Sequence, residues 1–273
     1  MKKVAIQGIR GSFHDLVTEQ FFDEKVQIVP CVFFEEVAEK LSQGEVDFGV
    51  MAVENTLAGA LLPNHMLIDQ YDLFIIEELY IPVRHHLMAL PGQKIEDIKE
   101  VRSHPMALLQ CRDFLKQYPG MKRIEYEDTA VAARDIGEQN LKHVAAIAPE
   151  KAARIYGLQI LASDIQDHHT NTTRFVVLTT DIYSFKKGSN KISMKIFLPH
   201  KPGSLAKVLK IFSKYKWNLT KIQSVPIFGR PWEYAFFIDA VYPEGFKPQK
   251  MISELLKEIK RFKILGIYKN RLP

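Results

Sequence analysis

The sequence has few cysteines, no long apolar run and no leader pattern. Its two cysteines, Cys31 and Cys111, lie in ordinary hydrophobic segments and form no C-x-x-C pair, which excludes a disulfide framework and is typical of a reducing compartment. No stretch reaches the roughly 18 consecutive apolar residues of a membrane-spanning helix, so we expect no membrane partner. Because residues 1–8 enter an apolar run without a signal-peptide pattern, we expect a cytoplasmic protein.

A block of basic residues is absent as well. The formal net charge is +5, but Lys and Arg are interspersed with Asp and Glu along the whole chain, so we expect no nucleic-acid partner. The excess positive charge favours attraction of small anionic molecules. The adjacent histidines at residues 85–86 and 168–169 would point to opposite faces of an extended segment. We therefore expect no metal site.

What the sequence does contain is an alternation of strand-length apolar runs and helix-period segments. With 273 residues and 47% hydrophobic content, the chain is long enough for two domains. Through its first part the alternation predicts α/β structure, with two lobes of mostly parallel sheet and a ligand cleft between them. One helix is predicted over residues 57–70 and an extended segment over residues 73–83.

The last part of the chain is predicted to form a smaller domain. A polar segment containing Gly and Ser at residues 181–190 is interpreted as a linker. Six elements then follow in the order strand, helix, strand, strand, helix, strand, with the second helix at residues 251–261. That order is typical of a ferredoxin-like α+β sandwich. The predicted domains are therefore residues 1–180 and 191–273.

Four segments place polar residues where strands give way to helices or where the final strand opens. In open α/β sheets, ligands bind at the carboxyl ends of the strands. The sequence thus predicts that these segments, distant along the chain, contribute to one site. They are residues 8–13, 54–56, 103–111 and 171–175.

Each segment also has a purely structural interpretation. The first could be a simple turn with Ser12 as a helix N-cap, and Asn55 or Thr56 could cap the predicted helix instead of contacting a ligand. His104 precedes a proline and suits a hydrogen-bonded position at a helix start. Arg174 could bind a substrate carboxylate through two parallel hydrogen bonds or form one surface salt bridge.

Together, and in this order, the segments resemble the motifs of the prephenate dehydratase family. Two positions depart from the pattern: Thr56 replaces a serine and keeps a hydroxyl, whereas Met106 replaces a glutamine and loses an amide. The matches are G-x-x-G-[ST]-[FY] at residues 8–13, P-I-E-N-S-x-x-G at 52–59, S-H-P-Q-A-L-x-Q-C at 103–111, Y-G-L at 156–158 and N-x-T-R-F at 171–175.

The resemblance implies a two-lobed, periplasmic-binding-protein-like catalytic domain. Such an enzyme converts prephenate to phenylpyruvate with loss of water and carbon dioxide, and it needs no cofactor. In the family the threonine before the arginine is tied to catalysis, which is Thr173 here, and Glu54 is the alternative proton donor. We expect the substrate to be bound by Asn55, Thr56, Ser103, Gln110, Thr129, Asn171, Arg174 and Phe175.

The last domain resembles an ACT domain, the amino-acid-sensing module usually attached to this enzyme. The resemblance implies an amino-acid effector, phenylalanine, and a homodimer or homotetramer. The family's E-S-R-P effector motif appears here as residues 223–226, QSVP, without its acid and its arginine. The predicted effector-binding residues are Gly203, Ser204, Leu205, Asn218 and Leu219.

Two alternatives remain open at the level of sequence. Arogenate, which carries an amine where prephenate carries a ketone, is the rival substrate, and no single residue decides between the two. A two-lobed protein that binds a carboxylate without reacting would have the same fold, because fold alone does not separate a binder from an enzyme.

Overall fold

The computed structural model describes residues 1–182, 188–227, 229–243, 245 and 249–272. The chain divides into two units, the first formed by Met1–Leu67 with Leu79–Val176 and the second by Ile68–Glu78 with Val177–Pro273. Of the predicted linker, residues 183–187 lie outside the described residues. The predicted domain limits stay a prediction.

The elements up to residue 182 alternate as the sequence predicts. In chain order they are β1 (Lys3–Gln7), α1 (Phe13–Phe21), β2 (Gln27–Cys31), α2 (Phe34–Ser42), β3 (Phe48–Asn55), β4 (Gly59–Ala60), α3 (Leu62–Gln70), β5 (Phe74–Pro82), β6 (His86–Ala89), a 3-10 turn (Ile95–Asp97), β7 (Glu100–Ser103), α4 (Pro105–Gln110), α5 (Arg112–Lys116), β8 (Lys122–Glu125), α6 (Thr129–Gln139), β9 (Val144–Ala148), α7 (Glu150–Tyr156), β10 (Gln159–Ala162) and β11 (Thr172–Thr179).

The first lobe of the first unit is built on a sheet in the strand order β11, β3, β1, β2. β1 pairs in parallel with β2 and β3. Val4, Ala5 and Ile6 are fully buried, as expected of a central parallel strand covered on both faces. β4 folds back antiparallel onto β3.

The second lobe has its own sheet, in the order β10, β6, β9, β7, β8. β9 pairs in parallel with β7 and antiparallel with β6. The small side chains of Ala132 and Ala133 on α6 pack in one core with Ala146 and Ala148 of β9. Small residues on both elements let the helix pack directly on the sheet, which positions the start of α6.

The turn between β1 and α1 packs against the second lobe. Gly11 has φ +91°, and a Cβ added there would lie 3.1 Å from the Cα of Ala152 on α7, so this position requires glycine. Lys151, which precedes Ala152 in α7, is buried and lies 2.8 Å from the Asp15 carboxylate of α1. Ser12 caps α1 by accepting from the Asp15 backbone N–H, which confirms the predicted cap. The turn therefore joins the two lobes.

The helix predicted over residues 57–70 is shorter than expected. α3 begins at Leu62, because the Asn55 side chain accepts hydrogen bonds from the backbone N–H groups of Leu57 and Ala58, both at 2.9 Å. An asparagine that binds the backbone two and three residues ahead stabilises a turn. The chain then reverses into β4 before the helix starts.

The second unit confirms the ferredoxin-like element order. Its antiparallel sheet runs β13, β14, β12, β15, and its core contains Phe212, Trp217 and Tyr242. The last helix ends at Leu255, earlier than predicted. The elements are β12 (Lys191–Phe197), α8 (Ser204–Lys214), β13 (Asn218–Ile227), β14 (Arg230–Val241), α9 (Gln249–Leu255) and β15 (Arg261–Tyr268).

Candidate active site

A cavity of about 220 Å³ lies within the first unit, with residues of both lobes on its wall. All four polar segments singled out from the sequence contribute residues to this wall. The segment at residues 8–13 contributes only its last two residues, Ser12 and Phe13. The polar side chains on the wall are Gln7, Ser12, His14, Asn55, His85, His104, Gln110, Asp128, Thr129 and Thr173.

Asn55 and Thr173 form the centre of the first lobe's contribution. The Asn55 Nδ2 donates to Thr173 Oγ1 at 2.9 Å and to Asn171 Oδ1 at 2.8 Å. The orientation of the amide is fixed, because its oxygen already accepts from two backbone N–H groups. Since the Thr173 oxygen accepts from Asn55, its own proton remains available to a ligand in the cavity.

Glu54 and Arg174 lie on the other side of the same strands. Thr173 and Phe175 line the cavity, and Arg174, between them, does not, because successive side chains alternate across a strand. The Arg174 side chain is 4% exposed and its Nη1 lies 3.5 Å from Glu54 Oε2. The ion pair connects β3 to β11 beside the wall, and the predicted roles of Glu54 and Arg174 toward the substrate stay predictions.

Three further predicted residues support the wall without belonging to it. Ser103 is fully buried and donates to the Ile147 carbonyl at 2.6 Å, joining β7 to β9. Thr56 Oγ1 accepts from the Thr172 backbone N–H at 3.0 Å, and buried Asn171 accepts from Asn55. These three side chains do not line the cavity, and their predicted contact with the substrate stays a prediction.

The second lobe contributes Gln110 and Thr129, both predicted to bind the substrate, together with His85. The substrate contact of Gln110 and Thr129 stays a prediction. His85 Nε2 lies 3.0 Å from Gln110 Oε1, and because an amide oxygen only accepts, Nε2 carries the proton. Burial lowers the pKa of His85 to about 4. On the opposite wall burial lowers the pKa of His14 to about 3. Both rings are neutral at neutral pH.

Asp128 is the carboxylate of the wall and was missed from sequence. It is the N-cap of α6, and its Oδ1 accepts from the backbone N–H groups of Ala130 at 2.7 Å and Val131 at 3.2 Å. Burial raises the pKa of this carboxyl. The signal was present, because Asp128 follows β8 and precedes a helix in the same way as the segments that were chosen. His85 and His14 gave no comparable signal.

The predicted effector residues lie in the second unit. Gly203 precedes α8 with φ +80°, a backbone conformation that favours glycine, and Ser204 and Leu205 begin the helix. Asn218 and Leu219 begin β13. Their role as an effector site stays a prediction.

The family model described as "Prephenate dehydratase" matches residues 4–182, well over half of this chain. The chain belongs to the prephenate dehydratase family. A curated relative is "Arogenate dehydratase/prephenate dehydratase 2, chloroplastic" of Arabidopsis thaliana, 36% identical over 282 residues, covering 97% of this chain and 72% of the relative. The chain is thus a dehydratase of the prephenate and arogenate dehydratase family.

Two solved structures are similar to this dehydratase over nearly its whole length. The prephenate dehydratase of Arthrobacter aurescens in complex with L-Phe has a TM-score of 0.86 at 27% identity, covering 98% of this chain and 90% of that one. A protein described as GqqA, a quorum quenching acylase, has a TM-score of 0.87 at 27% identity, covering 98% of both chains. These similarities confirm the predicted fold class.

Within the described part of the dehydratase, no helix is long and apolar enough to cross a membrane. Among the same residues, no group of three or more His, Cys, Asp or Glu side chains is arranged to hold a metal ion.

Proposed function

We propose that the protein converts prephenate to phenylpyruvate with loss of water and carbon dioxide. The observation that carries the proposal is the Thr173 hydroxyl on the cavity wall, with its oxygen fixed by Asn55 and its proton free to donate. The family membership supports the reaction class. Arogenate, the amino analogue, is the alternative substrate.

The reaction requires two main contributions from the protein, which are positioning of the substrate and hydrogen bonding to the leaving oxygen. Loss of the ring hydroxyl and the ring carboxylate makes the ring aromatic, and this change drives the reaction. The protein must hold the substrate in register and stabilise the departing oxygen as negative charge develops on it. A preorganised donor such as the Thr173 hydroxyl acts in this way, and the loss of one such donor lowers kcat roughly 10²–10³-fold.

The walls of the cavity suit a ring with polar substituents. Phe13, Phe175 and Met106 supply apolar surface, while Gln110 and Thr129 face the cavity from the second lobe. The Glu54 carboxylate lies on the far face of β3, paired with Arg174, so we assign hydrogen bonding to the leaving oxygen to Thr173.

The test is turnover of prephenate by the purified protein, followed through the absorbance of phenylpyruvate in alkali. We expect catalytic formation of phenylpyruvate without added metal or cofactor. Binding of prephenate without product would support the non-catalytic alternative. Turnover of arogenate alone would contradict prephenate as the substrate while leaving the reaction type intact.

We also propose that residues 191–273 form an ACT domain that binds an amino-acid effector, phenylalanine, in a homodimer or homotetramer. The ferredoxin-like order of the second unit supports this, as does the similar prephenate dehydratase of Arthrobacter aurescens, which was solved in complex with L-Phe. An allosteric effector of this kind couples to the active site by roughly 1–3 kcal/mol. Titration of phenylalanine into the turnover assay should change the rate, and a rate unchanged at millimolar phenylalanine would contradict the proposal.

A further inference from the structure

The cavity wall has an unusual charge for a site that binds a dianion. No Lys or Arg side chain is present among the described residues that line it, and its carboxylate is that of Asp128. His14 and His85 are neutral at neutral pH. The lysines, arginines and buried histidines of the described chain therefore present no positive charge on this wall.

The two candidate substrates differ in one group, a ketone in prephenate and an ammonium in arogenate, and the charge of this group determines how it interacts with the wall. Prephenate carries two carboxylates and a ketone and is a dianion. Arogenate carries the same two carboxylates and an ammonium group in place of the ketone, so that its net charge is a single negative one. A buried carboxylate repels the first molecule, whereas it can pair with the ammonium of the second.

The geometry of Asp128 leaves one oxygen for such a partner. Oδ1 is occupied by two backbone N–H groups of α6. Oδ2 makes no hydrogen bond within the described structure and lies 3.0 Å from the position that a Cβ on Gly8 would take. The carboxylate thus packs against Gly8, which lines an adjoining cavity that shares Gln7 and Asp128 with this one. Burial disfavours the charged carboxylate there, and a bound cation would offset that penalty.

We propose that Asp128 is a specificity-determining residue, whose Oδ2 accepts a hydrogen bond from the ammonium group of arogenate and raises the kcat/KM for arogenate relative to that for prephenate. The inference rests on the proposed dehydratase activity and names the substrate preference of the same site. It assigns Asp128 to the amino group of the side chain, away from the bond that breaks at the ring.

Asp128→Asn is the first test, because asparagine keeps the N-cap of α6 and nearly the same shape while removing the charge. A hydrogen bond to a charged group is worth enough that kcat/KM for arogenate should fall roughly 10- to 100-fold, mainly through KM. The kcat/KM for prephenate should stay level or rise. The matched control is Glu127→Gln, which removes one charge from the exposed neighbouring residue outside this wall and should leave the ratio unchanged.

The outcomes separate this inference from the proposed function. If the wild-type protein turns over neither substrate, the dehydratase proposal fails. If it turns over both and Asp128→Asn leaves their kcat/KM ratio unchanged, the specificity role is overturned. An equal loss on both substrates would also overturn it, because Asp128 would then serve a step common to both. Asp128→Ser, which also retains an N-cap, repeats the test if the asparagine variant does not fold.

Discussion

The cavity of the first unit and the sheet of the second unit bury polar groups in opposite ways. In the second unit Lys191 and Glu78 are both fully buried and their charges lie 2.8 Å apart. In the cavity wall the groups are mostly neutral: the Asn55 amide, the Thr173 hydroxyl and histidines whose pKa values burial has lowered. The second unit neutralises charge by pairing it, whereas the cavity largely avoids it.

The difference follows from what each region must do. A buried ion without a partner is strongly unfavourable, so a buried charge in a structural sheet needs an opposite charge within contact distance. Amide and hydroxyl groups can stay desolvated at a smaller penalty and still donate to an incoming ligand. The cavity keeps its hydrogen-bonding capacity for the substrate, and Asp128 is the exception that the specificity proposal explains.

The largest effect is expected from breaking the buried pair. Lys191→Met removes the ammonium that lies 2.8 Å from the buried Glu78 carboxylate, and we expect the free energy of unfolding to fall by roughly 3–5 kcal/mol. Urea denaturation followed by circular dichroism measures it. The partly exposed Lys195 is the matched control, because its partner Asp69 also pairs with Lys263, and Lys195→Met should have a much smaller effect.

A second variant checks that pairing is the cause. In Glu78→Gln combined with Lys191→Met, the glutamine oxygen can still accept from the Arg271 backbone N–H that Glu78 now binds, while the buried negative charge is gone. Most of the stability should return. A double variant as unstable as Lys191→Met alone would show that lost packing, and not the lost charge pairing, dominates.

The next effect concerns the orientation of the Thr173 proton. Asn55→Asp replaces the Nδ2 donor with a carboxylate oxygen, which would accept the Thr173 proton and turn it away from the cavity. We expect kcat to fall roughly 10²–10³-fold, the loss of one preorganised donor. Steady-state turnover measures it. The control is Asn64, which is also buried but donates to the Ala52 carbonyl. Asn64→Asp should lower the free energy of unfolding and leave the kcat of the folded protein close to the wild-type value.

The smallest effect is expected on the pH dependence of the free energy of unfolding, when a buried neutral histidine is removed. The pKa of His14 falls from 6.5 to about 3 on folding, so the unfolded chain binds the extra proton between these values. Stability is therefore full above pH 6.5 and is lost as the pH falls. From pH 7 to pH 5, His14→Gln should lose about 2 kcal/mol less stability than wild type. If the free energy of unfolding fell by the same amount in His14→Gln and in the wild-type protein, the assignment of His14 as neutral would be contradicted.

Much of this arrangement could be predicted from the sequence because it depends on local patterns. Alternating apolar periods gave the two lobes, and the six-element order gave the ferredoxin-like unit. Polar residues at strand ends are expected to meet at one edge of a sheet, and Asn55, Gln110 and Thr173 do lie on the same cavity wall. These features need no knowledge of which side chain contacts which.

The features that the sequence did not predict depend on which face of a strand a side chain lies on and on which of several possible hydrogen bonds forms. Consecutive residues such as Thr173 and Arg174 look equally suited to a ligand, but strand alternation sends them to opposite faces, and the sequence does not say which face borders the cavity. The helix predicted from residue 57 was displaced because Asn55 caps a turn instead. Asp128 was missed because an aspartate before a predicted helix is explained fully by N-capping, and the sequence does not show that its side chain also lines the cavity.

The most direct test of the whole account is the kcat of Thr173→Ala, measured with the substrate that the wild-type protein turns over. With the fold intact by circular dichroism, we expect kcat to fall roughly 10²–10³-fold while KM changes little, because the hydroxyl acts on the departing oxygen and not on binding. Thr173→Ser, which restores a hydroxyl, should recover much of the rate. A near-wild-type kcat in Thr173→Ala would contradict the mechanism proposed for this site.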